Sequence, residues 1–205
     1  MEIIICLIIG YLLGSLNPAA LLAKLKHTNL REQGTRNLGA SNATIVLGKK
    51  YGALVMVFDI LKAFLAAKAA KWLFPKLVVS GLLAGLGAVI GHIFPFYMNF
   101  KGGKGLAAFG GLALACSPWM FVFLLTLGVV LMLVVNYSYV MPMSVAVLLP
   151  ILVLIQTQRL DAFLICAAAG LLIIVKHWSN IGKAKRGEDI PIRDFVKNKL
   201  LTKSK

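Results

Sequence analysis

Apolar runs recur along the whole chain with only brief polar breaks between them, and nothing else in the sequence limits the fold so strongly. A hydrocarbon core about 30 Å thick takes about 20 apolar helical residues per crossing, and it admits only segments whose backbone polar groups are satisfied internally. Seven segments are candidates: Ile3–Ala23, Gly52–Ala67, Leu77–Phe96, Leu106–Ala115, Met120–Val135, Val140–Ile155 and Ala162–Val175. Leu106–Ala115 is too short to cross alone, which predicts a tilted or half-depth helix sheltered by its neighbours. The expected fold class is all-α: a polytopic membrane protein of about seven transmembrane helices. Residues 1–185 form one membrane domain and residues 186–205 a basic cytoplasmic tail.

A soluble chain of 205 residues could not hide a 60% hydrophobic sequence, well above the roughly 45–50% of ordinary domains. The net charge of +15 rests on only 7 acidic residues and favours anionic headgroups or phosphate-bearing ligands. Nucleic acid is excluded as a partner because the basic residues are scattered among apolar segments and do not form an aromatic-interleaved stripe. Cys6, Cys116 and Cys166 lack metal-site or redox-pair spacing and read as buried small hydrophobes. The first apolar stretch has no basic leader or clear cleavage site, so it is expected to stay as a span. No internal repeat is visible, which argues against the inverted halves of many transporters.

Lysine and arginine placement sets an expected orientation. Lys24, Lys26, Arg31, Arg36, Lys49 and Lys50 lie in the first loop, Lys101 and Lys104 follow the third segment, and the tail is basic from Lys176 onward. Seven spans put all of these on one side, the cytoplasmic one, with the N-terminus outside and the C-terminus in the cytoplasm. Lys68, Lys71, Lys76 and Arg159 remain outside.

Three polar clusters share that side. Gly91-His92-Ile93-Phe94-Pro95 precedes Phe100-Lys101-Gly102-Gly103-Lys104-Gly105, at the start of the fourth segment. Glycines there can gather backbone N–H groups into an anion nest beside a helix N-terminus, with Lys104 adding a full charge. Walker spacing is absent. In the first loop, Gly34-Thr35-Arg36-Asn37-Leu38-Gly39-Ala40-Ser41-Asn42 suits close approach to a polar ligand, although Ser41 or Asn42 could instead cap the next helix. His177 and Asn180 share a face if the last helix continues past Val175, with Lys183 and Glu188 beyond. Asp59 and Lys62, one turn apart at membrane depth, either neutralise each other or serve a site. Ser15 and Asn17, near Gly14 and Pro18, read as helix packing or as cavity lining, and Gly14 as packing.

In combination, order and spacing these clusters resemble the three motifs of the bacterial acyl-phosphate:glycerol-3-phosphate acyltransferases, the PlsY family, over nearly the whole chain. The resemblance implies a seven-helix enzyme of the bacterial cytoplasmic membrane that acylates the 1-hydroxyl of glycerol 3-phosphate from acyl phosphate, giving lysophosphatidic acid and phosphate. It implies Lys104 and His177 as catalytic residues. Gly102, Gly103, Gly105, Asn180, Arg36, Asn37, Asn42, Thr35 and His92 are the candidate substrate- and phosphate-binding residues. No metal or other cofactor is implied, and the expected partners are the two substrates, membrane lipids and other lipid-synthesis enzymes. Acyl phosphate is already activated, so the protein has to position two anions and stabilise an oxyanion. The hydroxyl proton has two possible acceptors, His177 and a substrate phosphate oxygen.

The chain departs from the family pattern at four places. Thr35-Arg36-Asn37 stands for the usual Ser-Gly-Asn, Ile45 for an arginine, Ala108 for a small hydroxyl residue, and Pro142 interrupts the Tyr139–Ser144 region. A membrane transporter or binding protein for a small organic phosphate is the alternative reading, using the same basic pocket without acyl transfer.

Overall fold

Helices answer the need for internally bonded backbone, and every regular element among the described residues, 1–188 and 191–193 of the computed structural model, is helical. In chain order they are α1 (Glu2–Ser15), α2 (Pro18–Leu25), α3 (Ala40–Val46), α4 (Lys49–Leu73), α5 (Ser80–Ile93), α6 (Leu106–Cys116), α7 (Pro118–Val135), α8 (Val140–Thr157) and α9 (Leu160–Lys185). A single 3₁₀ turn, Phe96–Met98, follows α5. Among the described residues five stretches are long and apolar enough to cross a membrane: Glu2–Leu25, Ser80–Met98, Pro118–Val135, Val140–Thr157 and Leu160–Lys185. The chain is a multi-pass membrane protein. α4 carries Lys49, Lys50, Asp59, Lys62, Lys68 and Lys71, which set it apart from those five, and α6 is short as expected.

The first segment is not one helix. Pro18 has no N–H to continue the ladder and disfavours helical backbone at Asn17, which is extended (φ −120°, ψ 97°). The Asn17 side chain then caps α2 by accepting from the Ala20 N–H at 2.8 Å. α4 extends at both ends beyond Gly52–Ala67, and α9 runs ten residues past Val175 to Lys185, carrying His177 and Asn180 on one helix. α3 was not anticipated as an element of its own.

Small residues let the helices touch backbone to backbone. A Cβ at Gly10 or Gly14 would collide with the Ala84 or Ala88 backbone, and one at Gly87 or Gly91 with the Leu7 or Tyr11 carbonyl. Each helix thus offers a small-xxx-small face to the other, the arrangement that close packing in lipid favours. Gly14 is the packing residue it was read to be. Gly111 meets the Ile60 carbonyl between α6 and α4, and Gly170 the Ala146 carbonyl between α9 and α8. Cys6 and Cys166 are buried, Cys116 partly so, and all three are free.

Most of the basic tail, residues 189–190 and 194–205, lies outside the described residues. Arg186 pairs with Glu188 at 2.6 Å, and this guanidinium holds the Glu188 carboxyl below its ordinary range. Backbone N–H groups of Ile192 and Arg193 reach Asn136 at the end of α7. A Gly91→Leu variant is expected to lose about 2 kcal/mol or more, because neither backbone can retreat. Thermal unfolding in detergent would measure it, and an unchanged midpoint would mean that α1 and α5 do not pack this closely.

Candidate active site

The glycine-rich loop hangs from the end of α5. Gly102 N–H donates to the Ile93 carbonyl at 3.0 Å and Gly103 N–H to the His92 carbonyl at 3.1 Å. These two N–H groups are consumed inside the fold, so the loop is not the nest of consecutive donors that its composition suggested. Its glycines serve close approach instead. A Cβ on Gly102 would strike the His92 carbonyl, and one on Gly103 the His92 ring and the Leu38 carbonyl. Gly105 caps α6 with φ +88°, the left-handed region that glycine enters without penalty. Anion-facing capacity therefore shifts to the first turn of α6, whose N–H groups have no intrahelical acceptor, and to Lys104.

Lys104 Nζ donates to Asn180 Oδ1 at 2.5 Å, joining the loop to α9. One turn earlier on α9, His177 is 7% exposed and its Nδ1 lies 2.9 Å from the Ile173 carbonyl. A carbonyl only accepts, so Nδ1 carries the proton, and in the neutral ring Nε2 is left as the basic nitrogen. The first loop joins the same end of the bundle. Arg31 donates to the Lys101 carbonyl at 2.6 Å, and Asn17 Nδ2 to the Leu38 carbonyl at 3.4 Å.

The predicted site residues separate into two groups. Lys104 bonds Asn180, with His177 one turn earlier on the same helix; Gly102 and Gly103 lie against the end of α5, Gly105 lies against Ile173 of α9, and Asn37 directly precedes Leu38, whose carbonyl lies against Gly103. Asn42 is fully buried and organises the first loop: Oδ1 accepts from the Thr35 N–H at 2.7 Å, and Nδ2 donates to the Leu30 carbonyl at 2.8 Å and the Gln33 carbonyl at 3.2 Å. Neither it nor Ser41 caps α3, whose N-cap is Gly39 without a side-chain bond. Thr35 and Arg36 are exposed, and His92 lies buried beneath Gly103. Arg31 and Asn17, which tie the loops together, carry no motif and were missed as such. Of the departures, Ile45 is 46% exposed on α3, Ala108 is fully buried in α6 and Pro142 is buried in the first turn of α8.

A family model described as glycerol-3-phosphate acyltransferase matches residues 4–187. The chain belongs to the glycerol-3-phosphate acyltransferase family. A relative from Lactiplantibacillus plantarum, named glycerol-3-phosphate acyltransferase, is 39% identical over 193 residues, covering 92% of this chain and 91% of the relative. One of the same name from Aquifex aeolicus is 35% identical, covering 92% and 98%. Among solved structures, PlsY (YgiH), an integral membrane glycerol 3-phosphate acyltransferase, superposes in its glycerol 3-phosphate form with a TM-score of 0.86 at 32% identity, covering 93% of this chain and 96% of that one. Its lysophosphatidic acid form gives 0.84 at 31% identity, with 93% and 95% covered.

Within this family setting the Thr35-Arg36-Asn37 departure has a clear backbone reading. Arg36 adopts φ +60°, so it holds the left-handed conformation that suits the usual glycine. Replacing it by glycine, Arg36→Gly, is expected to raise stability by up to about 1 kcal/mol, the relief of left-handed strain less the added freedom of the unfolded chain. Thermal melting in detergent checks this. A loss of stability would show that the guanidinium holds a contact worth more than the strain.

Proposed function

We propose that this chain transfers a fatty acyl group from acyl phosphate to the 1-hydroxyl of glycerol 3-phosphate, releasing lysophosphatidic acid and phosphate. The observation that carries this reading is the Lys104–Asn180 bond at 2.5 Å, which fixes a cation at the N-terminal end of α6, one helical turn along α9 from His177. Each substrate brings a phosphate and one brings an acyl tail. A cationic helix terminus at the edge of an apolar bundle serves both.

In the proposed reaction the 1-hydroxyl oxygen attacks the acyl carbonyl carbon, forming the ester C–O bond. The bond from that carbon to the phosphate oxygen breaks, and phosphate leaves with the electron pair. Lys104 and the first-turn N–H groups of α6 offset the negative charge of phosphate. Asn180, Asn37, Thr35 and Arg36 line the approach of glycerol 3-phosphate, and Asn42 shapes their loop. The hydroxyl proton goes either to His177 Nε2 or to a substrate phosphate oxygen, and kinetics can separate the two.

The topology belongs to the same proposal: seven membrane helices, counting α4 and the half-depth α6, with residues 1–185 in the membrane of a bacterial cell and 186–205 as a cytoplasmic tail. At 1.5 Å per residue, α6 extends about 16 Å, half of a hydrocarbon core. Arg31, Lys101, Lys104 and Lys183 gather at the end of the bundle that carries the candidate site, which supports a cytoplasmic site that soluble glycerol 3-phosphate can reach.

Purified protein mixed with palmitoyl phosphate and glycerol 3-phosphate is expected to release phosphate and lysophosphatidic acid, with Lys104→Ala lowering kcat/KM by about 10²-fold or more. Binding of glycerol 3-phosphate without turnover would favour the carrier reading. His177→Gln is expected to reduce kcat by about 10²-fold or more if Nε2 takes the proton, and by less than about 10-fold if a phosphate oxygen does.

A further inference from the structure

The proposed reaction leaves one buried polar cluster without a role. Asp59, Lys62 and His92 are 1%, 4% and 3% exposed, on the middle of α4 and the end of α5. Lys62 Nζ lies 2.7 Å from Asp59 Oδ1, and His92 Nδ1 lies 3.2 Å from the same oxygen. Lys62 Nζ is also 3.0 Å from His92 Nδ1 and donates to the Leu16 carbonyl at 2.6 Å. Mutual neutralisation of Asp59 and Lys62, the blander expectation, accounts for the first distance alone.

Two further contacts tie the cluster to the candidate site. In an uninterrupted helix the Leu16 carbonyl would accept from the Ala20 N–H, but the Asn17 side chain takes that donor as the cap of α2. Lys62 supplies the missing donor, so its ammonium holds the junction of α1 and α2 in place. From that junction Asn17 Nδ2 reaches the Leu38 carbonyl, which lies against Gly103. On the other side, His92 has Nδ1 in the cluster and Nε2 directly beneath Gly103, where a Cβ would strike it. Lys62 thus reaches Gly103 by two routes, through Leu16, Asn17 and Leu38 and through the His92 ring. The residue after Gly103 is Lys104.

We propose that Asp59, Lys62 and His92 are positioning residues for the transfer reaction, setting the height of Gly103 and so the aim of Lys104 at substrate phosphate. His92 then acts through the loop and not on substrate. The inference rests on the reading of Lys104 as the phosphate cation. A pair retained only for charge balance would be replaceable by two neutral groups without effect on chemistry. A brace would not.

The test compares Lys62→Met with the double variant Asp59→Asn/Lys62→Met, reading thermal unfolding in detergent, glycerol 3-phosphate affinity by calorimetry, and kcat and KM with palmitoyl phosphate. Lys62→Met strands a buried carboxylate and is expected to unfold early. The double variant is expected to recover a near-native midpoint while kcat/KM for glycerol 3-phosphate stays about 10- to 100-fold below the unaltered protein. Recovery of both midpoint and kinetics would overturn the proposal. If the double variant does not survive purification, Lys62→Arg in isolated membranes decides, normalised to retained protein. It keeps the charge opposite Asp59 but not the compact ammonium, so a loss of kcat/KM supports the brace and unaltered kinetics overturn it. Failure of the acyl-transfer reading is seen separately, as absence of turnover in the unaltered protein. The double variant's glycerol 3-phosphate affinity then reads loop placement, weakened at least 10-fold if the brace acts and unchanged if it does not.

Discussion

A buried carbonyl freed from a helix has to find another donor, and this chain frees several where α1 ends, α5 ends and the loops begin. Each is met by a specific group. Tyr97 donates to the Ser15 carbonyl at 2.8 Å, Lys62 to Leu16 and Tyr11 to the Phe94 carbonyl at 2.8 Å. Asn17 serves Leu38, while Gly102 and Gly103 N–H groups serve Ile93 and His92. Interrupting two helices at one end of the bundle creates room for polar chemistry, and the side chains that satisfy the interruptions also fix its geometry. The site is in this sense the solution to a backbone problem.

The same constraint explains why glycines cluster there without forming an anion nest. A loop that must donate its own N–H groups to the end of α5 has to lie flat against it, and only residues without a Cβ can do so over the His92 ring. With those backbone donors spent on structure, the proposed reaction draws its electrostatic help from Lys104 and the start of α6. A lysine held by Asn180 on another helix is also less mobile than one on a free loop, which matters when two anions must be placed within reacting distance.

Much of this was legible in the sequence. Apolar runs located the long helices, and the three-residue spacing of His177 and Asn180 put them on one face on the condition, met by α9, that the last helix continues past Val175. Lys104 stood out because cation, glycines and helix start coincide. What the sequence hid depends on contacts between distant positions. The Asp59–Lys62 spacing revealed a pair, but His92 is 30 residues from Lys62 and the Leu16 carbonyl 46 residues from it, and no local pattern links them. The break at Asn17 sat inside an apolar run, where hydropathy outweighed Pro18. Asn42 read as a ligand or a cap because an amide suits either, and its work as the organiser of residues 30–35 shows only in three dimensions.

Departures from the family pattern can be sorted by whether they disturb backbone or side-chain chemistry. Arg36 leaves the backbone alone, since it accepts the left-handed conformation at φ +60° and projects a new cation from the first loop. Pro142 falls in the first turn of α8, where a missing N–H costs little. Ala108 is sealed inside α6, where a hydroxyl would need a partner and a methyl needs none. Ile45 alone removes a charge from an exposed position without an observed replacement on α3. On the proposed reaction, the glycerol 3-phosphate dianion therefore meets a first loop whose cation sits nine residues earlier than the family pattern has it. Arg36 lies on the exposed turn that Gln33 and Asn42 hold, and Ile45 lies beyond it on α3. On that reading, affinity for the acceptor should follow the first-loop cation, whereas attack on the acyl carbon should follow Lys104 and α9, on which neither substitution lies.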